Sequence, residues 1–124
     1  MLRVLVAAAI LLVASALPTV AQDAVKVDPK HYKVEFENDQ VRVLRITYGP
    51  HEKSVMHGHP AGVVVFLTDL YAKFTLPDGT TQVVSAKAGT TQWVAAGQHQ
   101  PENLRDEFLE LIQIEFKEKP ATGK

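Results

Sequence analysis

The chain is expected to fold as an all-β sandwich or barrel. Short β-rich runs recur along it, turn residues separate them at short intervals, and no segment after residue 22 carries a convincing helical period. Its 124 residues, 46% hydrophobic, supply material for one core rather than two. No internal repeat or low-complexity segment interrupts the pattern.

The first segment is of a different kind. Arg3 gives a positive start, Val4 to Leu17 is an almost unbroken apolar run, and Pro18 with Thr19-Val20-Ala21 precedes the polar Gln22-Asp23. This reads as a secretory signal peptide over residues 1–21, since the run is shorter than the roughly 20 residues a spanning helix needs. A periplasmic or secreted protein, free of the membrane after cleavage, is therefore expected. Asp23 to Lys30, with Pro29, reads as a short polar lead, and the barrel domain is expected over 31–117.

From His31 the chain turns to strands. Val34 and Phe36, then Val41, Val43, Leu44, Ile46 and Tyr48, form two runs around the polar turn Glu37 to Gln40. Gly49-Pro50 ends the second run. After Pro60-Ala61-Gly62, the β-branched stretch Val63 to Leu67 is too short for a typical helix. Phe74 to Leu76, Pro77-Asp78-Gly79 and Thr80 to Val84 predict a hairpin: Pro presets φ, Asp offers an acceptor, and Gly is free to take positive φ. A strand is expected from Thr90 to Val94 after Gly89. The last runs from Phe108 to Phe116, where Phe108, Glu110, Ile112, Ile114 and Phe116 alternate with Leu109, Leu111, Gln113 and Glu115. A polar tail over 118–124 follows.

Composition excludes several functions. The formal charge is −1, with acidic and basic residues interspersed, so neither a nucleic-acid footprint nor a polybasic membrane surface is indicated. The expected partner is a small molecule or a second copy of the chain. With no cysteine, the protein has no thiol nucleophile, Cys-ligated zinc or iron-sulfur cluster of its own, and no disulfide helps to stabilise it. Phosphate-loop, G-x-S-x-G and His-Glu-x-x-His motifs are also absent. Asp69, Asp78, Asp106 and Glu107 fall at expected turns, where solvated carboxylates are ordinary.

The chemistry concentrates in the histidines. Met56-His57-Gly58-His59-Pro60 is answered about forty residues later by Ala96-Gly97-Gln98-His99-Gln100-Pro101-Glu102-Asn103, so two short polar segments, read as turns, offer three imidazoles. His57 and His59 share a face if their segment is extended. Three imidazoles suit a transition metal without selecting one. His31 reads as a strand-end residue, His51 as part of a solvated loop, and Trp93 as a core or pocket-wall aromatic.

These segments resemble the two signature motifs of the cupin family. His57-Gly58-His59 matches the histidine pair of the first motif. Gly89, Ala95-Ala96-Gly97 in place of Pro-x-Gly, His99 and Asn103 match the second, and the resemblance spans about Phe36 to Phe116. It implies a conical β-barrel, the double-stranded β-helix or jelly roll. It also implies a divalent metal (Fe, Zn, Mn, Ni or Cu) held by His57, His59 and His99, and often a homodimer. Asn103 would order the turn behind His99. Two positions depart from the family: Val63 stands where a ligating Glu is usual, and Leu70 where the motif ends in Gly. Three readings follow. Water or substrate completes a three-histidine site in a metal-dependent, dioxygenase-like enzyme; another side chain, Glu102 or Gln92, replaces the Glu; or the barrel binds a small ligand without metal or chemistry, as a binding or sensing module. Relatives associated with β-alanine degradation make an organic acid or amine derivative a candidate ligand by analogy of fold.

Overall fold

The expected strands pair into two antiparallel sheets. The computed structural model describes residues 22–118; the segment read as a signal peptide, and residues 119–124 of the expected tail, lie outside the described residues. In chain order the elements are α1 (Ala24–Val27), β1 (Tyr32–Glu37), β2 (Val41–Tyr48), β3 (His57–His59), β4 (Gly62–Phe66), β5 (Leu70–Thr75), β6 (Thr81–Ala86), β7 (Thr91–Val94), β8 (Gly97–Asn103) and β9 (Leu109–Phe116). One sheet has the order β1-β2-β9-β4-β7 and the other β3-β8-β5-β6. Leu44, Ile46 and Val64 from the first and Leu70 and Ala72 from the second meet in one buried core.

The lead before β1 departs from the sequence expectation, for it contains the one-turn helix α1. Asp23 caps it, its side chain accepting from the Val25 N–H, while Ala24 is fully buried. The Gly58 N–H then donates to the Gln22 carbonyl at 2.8 Å, which fastens this lead to β3.

The Pro-Asp-Gly hairpin forms between β5 and β6. Gly79 takes φ +86°, and Asp78 Oδ1 accepts from the Thr80 N–H at 2.9 Å, as a turn of that composition requires. Gly62 meets a different demand. A Cβ there would lie 2.0 Å from the Ile114 carbonyl oxygen, so only glycine lets β4 approach β9 this closely.

β9 carries apolar residues on both faces, and pattern alone does not say which is inner. The structure turns Leu109, Leu111, Gln113 and Glu115 inward, while Phe116 is left largely exposed. The register then places Phe36, Val43, Ile114, Val63 and Trp93 in one row across the outer face of all five strands. Trp93 stacks on Phe116 there, with ring centroids 5.9 Å apart.

Candidate metal centre

The two histidine segments, expected as turns, are neighbouring strands. β3 and β8 pair antiparallel with His57 opposite His99 and His59 opposite Gly97. The β8 sequence is polar and contains Pro101, which hides a strand from pattern reading. It is extended because β3 and β5 flank it and supply ladder partners on both sides.

The expected ligands do come together. His57 and His59 are buried, His99 is half-buried, and one ring nitrogen from each lies within 4.8 Å of the others. Ring centroids are 4.8 Å (His57 to His59), 5.0 Å (His57 to His99) and 5.4 Å (His59 to His99) apart, and each pair is nearly perpendicular. Edge-on rings direct nitrogens toward a common centre instead of stacking.

Hydrogen bonds fix two of the rings. His57 Nδ1 lies 2.8 Å from the Val55 carbonyl, which only an N–H can satisfy, so its Nε2 is left as the acceptor. Ser54 Oγ stands 3.3 Å from the same Nδ1 and donates to Asp28 at 2.5 Å. His59 Nδ1 lies 2.7 Å from Glu115 Oε2. The Nε2 atoms of His57 and His99 are buried with no partner among the described residues, which is costly unless a bound group supplies one. Burial, reinforced by His59, pushes the His57 pKa down to about 4; burial, reinforced by His57 and His59, pushes His99 down to about 3. Both rings are therefore neutral at physiological pH, the form in which imidazole binds metal. The residues present fit a divalent ion on these grounds.

Glu115, Arg42 and Asp23 form a network behind His59 that sequence reasoning missed. Glu115 holds His59 with one oxygen and accepts from Arg42 Nε at 2.8 Å with the other. Arg42 in turn forks onto Asp23, Nη1 to Oδ2 at 2.9 Å and Nη2 to Oδ1 at 2.7 Å. That fork holds the Asp23 carboxyl below its ordinary range and keeps Arg42 charged. A carboxylate behind a ligating histidine is a recurring way to fix its tautomer and raise its basicity. The signal in the sequence was the pair Gln113 and Glu115, which sit at alternate positions of β9 in line with Leu109 and Leu111.

The histidines open on a cavity of about 420 Å³ between the sheets, walled by Ile46, Phe66, Phe74, Val84 and Leu111 and reached by His59 and His99. Tyr32 and Tyr48 share a hydroxyl contact of 2.5 Å on its lining, and burial raises both phenol pKa values.

Several sequence assignments change in detail. Val63, the position of the missing Glu, lies in the outer row, and Val64 lines the cavity in its place; both are apolar, so neither restores a ligand. Glu102 and Gln92 line the cavity, yet neither joins the histidine cluster, and Glu102 faces Lys73 at 3.4 Å. Leu70 lines the same cavity. His31 immediately precedes β1, as expected of a strand-end residue, and it is buried, bonded to Asp28 at 2.7 Å and stacked on Tyr48 at 4.3 Å. His51 is exposed, as expected, beside Asp106. Trp93, read as a core or pocket-wall aromatic, borders the cavity from β7 but is 60% exposed with its ring on the outer face against Phe116, so it is not part of the core. Asn103 orders loops other than the one behind His99: it donates to the Gly49 and Glu107 carbonyls at 3.0 and 2.9 Å and accepts from the Arg105 N–H.

No protein-family model and no curated protein sequence matches the chain. Solved structures do. A cupin domain from Bordetella pertussis is 24% identical, with 70% of this chain and 92% of that one covered and a TM-score of 0.66. The polyketide cyclase RemF of Streptomyces resistomycificus is 12% identical, over 73% of this chain and 66% of that one, with a TM-score of 0.54. Oxalate decarboxylase of Bacillus subtilis, a protein with Mn(II) centres, is 24% identical over 67% of this chain and 23% of its own length, with a TM-score of 0.51. The two facing sheets, the paired histidines on β3 and the third on β8 give this chain the fold of a small single-domain cupin.

Proposed function

We propose that the chain binds a divalent transition metal through His57, His59 and His99 and uses it to transform a small organic molecule in the adjoining cavity. The observation that carries this reading is the pair of buried, partnerless Nε2 atoms on His57 and His99, beside a His59 whose proton is held by Glu115. A bound ion of this kind supplies Lewis acidity and, for iron, copper or manganese, redox chemistry toward oxygen. The chain's own residues do the rest. Val55 and Glu115 fix ring tautomers, the apolar walls take the body of a small molecule, and three neutral ligands leave coordination positions for it. An oxygenase is the first version to test, by oxygen uptake of the iron-loaded protein with thiols, diketones and small acids.

The test of the metal itself is elemental analysis of protein purified without chelator or affinity nickel. Near-stoichiometric metal that is lost in His57→Ala and His99→Ala supports the reading; protein that refuses Fe, Zn, Mn, Ni and Cu refutes it. A second reading, a non-catalytic binding or sensing module, is favoured by the apolar walls Ile46, Phe66, Phe74, Val84 and Leu111, which offer shape without chemistry, and silence throughout the oxygen-uptake panel would support it.

Two further parts of the proposal concern the whole protein. The pattern of residues 1–21 supports export, checked by the N-terminal mass of the cell-derived protein. Among the described residues no helix is long and apolar enough to cross a membrane. The outer row containing Phe36 and Trp93, which are 54% and 60% exposed, supports a homodimer, checked by sedimentation. A single monomeric species would refute it.

A further inference from the structure

One inward row of the larger sheet runs Leu44, Gln113, Val64, Gln92 across β2, β9, β4 and β7. Gln113 is 4% exposed, lines the cavity with His59 and His99, and has an Nε2 with no partner among the described residues. It precedes Glu115 by two positions on the same face of β9, which places it roughly 7 Å along the strand from the carboxylate that holds His59. Leu44 and Val64 flank it, so neither neighbour across the ladder can satisfy an amide. A buried donor without a partner is costly, and a leucine would pack here at no such cost.

We propose that Gln113 recognises the polar head of the cavity's ligand, an organic monocarboxylate with an apolar body, by donating from Nε2 to a carboxylate oxygen. The anionic preference rests on the metal reading above. Imidazole ligands, unlike carboxylates, bring no negative charge, and Arg42 is shared by Glu115 and Asp23, so that triad carries one net negative charge and a divalent ion still leaves this end of the cavity positive. Glu102, on the facing sheet, is offset by Lys73. The apolar walls take the body of the ligand, and the volume suits a chain or ring of modest size.

The test uses the full chain, first titrated with zinc and then with octanoate by calorimetry. Octanoate binds the zinc-loaded protein more tightly than octan-1-ol. Gln113→Leu weakens octanoate about 10- to 100-fold, the worth of a hydrogen bond to a charged group, while zinc stoichiometry is unchanged. Gln113→Met gives the same comparison should the leucine variant fold poorly. Octanoate affinity within threefold of wild type in a folded variant overturns the proposal, as does octan-1-ol binding as tightly as octanoate. If the wild type takes no zinc, the metal reading fails separately. Octanoate on the zinc-free protein then decides Gln113 alone: an affinity that the leucine variant loses sustains it, and one that it keeps overturns it.

Discussion

Replacing Arg42 by methionine removes the positive charge from a buried triad while keeping most of its packing length. Glu115 is 2% exposed, and the Arg42 side chain, 18% exposed, contacts its Oε1 through both Nε (2.8 Å) and Nη2 (2.7 Å). The substitution leaves the buried carboxylate with His59 as its one remaining side-chain partner. Breaking a buried ion pair from one side costs about 3–5 kcal/mol, and the partial exposure of Arg42 and Asp23 argues for the lower end, about 3 kcal/mol. For a domain of this size each kcal/mol moves the melting temperature by about 4–8 °C, so a fall of about 12–24 °C is expected. The assay is urea unfolding in chelator, followed by circular dichroism, with wild type, Arg42→Met, Glu115→Leu and the double variant. Removing both charges leaves only the partly exposed Asp23 without its arginine and no buried carboxylate unpaired, so the double variant recovers much of what Arg42→Met loses. A cost below about 1 kcal/mol for Arg42→Met, or a double variant no more stable than that single one, would refute the placement of Glu115 as a buried charge dependent on Arg42.

Two more outcomes follow from the same geometry. Glu115→Gln keeps the shape but weakens the hold on His59, and it lowers metal affinity by roughly 10- to 100-fold in competition with a fluorescent chelator, with the fold intact by circular dichroism. In metal-free protein, acidification destabilises. His57 and His99 have folded pKa values of about 4 and about 3, below the ordinary histidine value, so the unfolded chain binds protons that the folded chain refuses. Their contribution is fully present above about pH 6.5 and is lost as pH falls toward those folded values, at up to about 1.4 kcal/mol per pH unit for each ring. Urea midpoints at stepped pH check this, and His57→Phe with His99→Phe should flatten the profile.

Only the cupin resemblance joined His99 to the other two histidines; local pattern in the sequence was enough for the all-β class, the Pro77-Asp78-Gly79 hairpin, and the shared face of His57 and His59. These rest on local rules: alternation, turn chemistry, and the fact that His57 and His59 share one face of any extended segment. Local rules fail where a residue's role is set by a strand far away in the chain. β8 reads as a polar turn because Pro101, Glu102 and Asn103 lack strand propensity, and it is a strand because β3 and β5 hold it on both sides. β9 is apolar on both faces, so only the packing of the two sheets decides that Gln113 and Glu115 face inward. With that choice Glu115 meets His59, 56 residues away, and Arg42, 73 residues away, closing a network that pattern reading along the chain does not contain. Side-chain identity set which groups can hold a metal or an anion; the tertiary structure decided which of them share one cavity, because strand register aligns residues within each sheet and the packing of the two sheets selects the faces that meet.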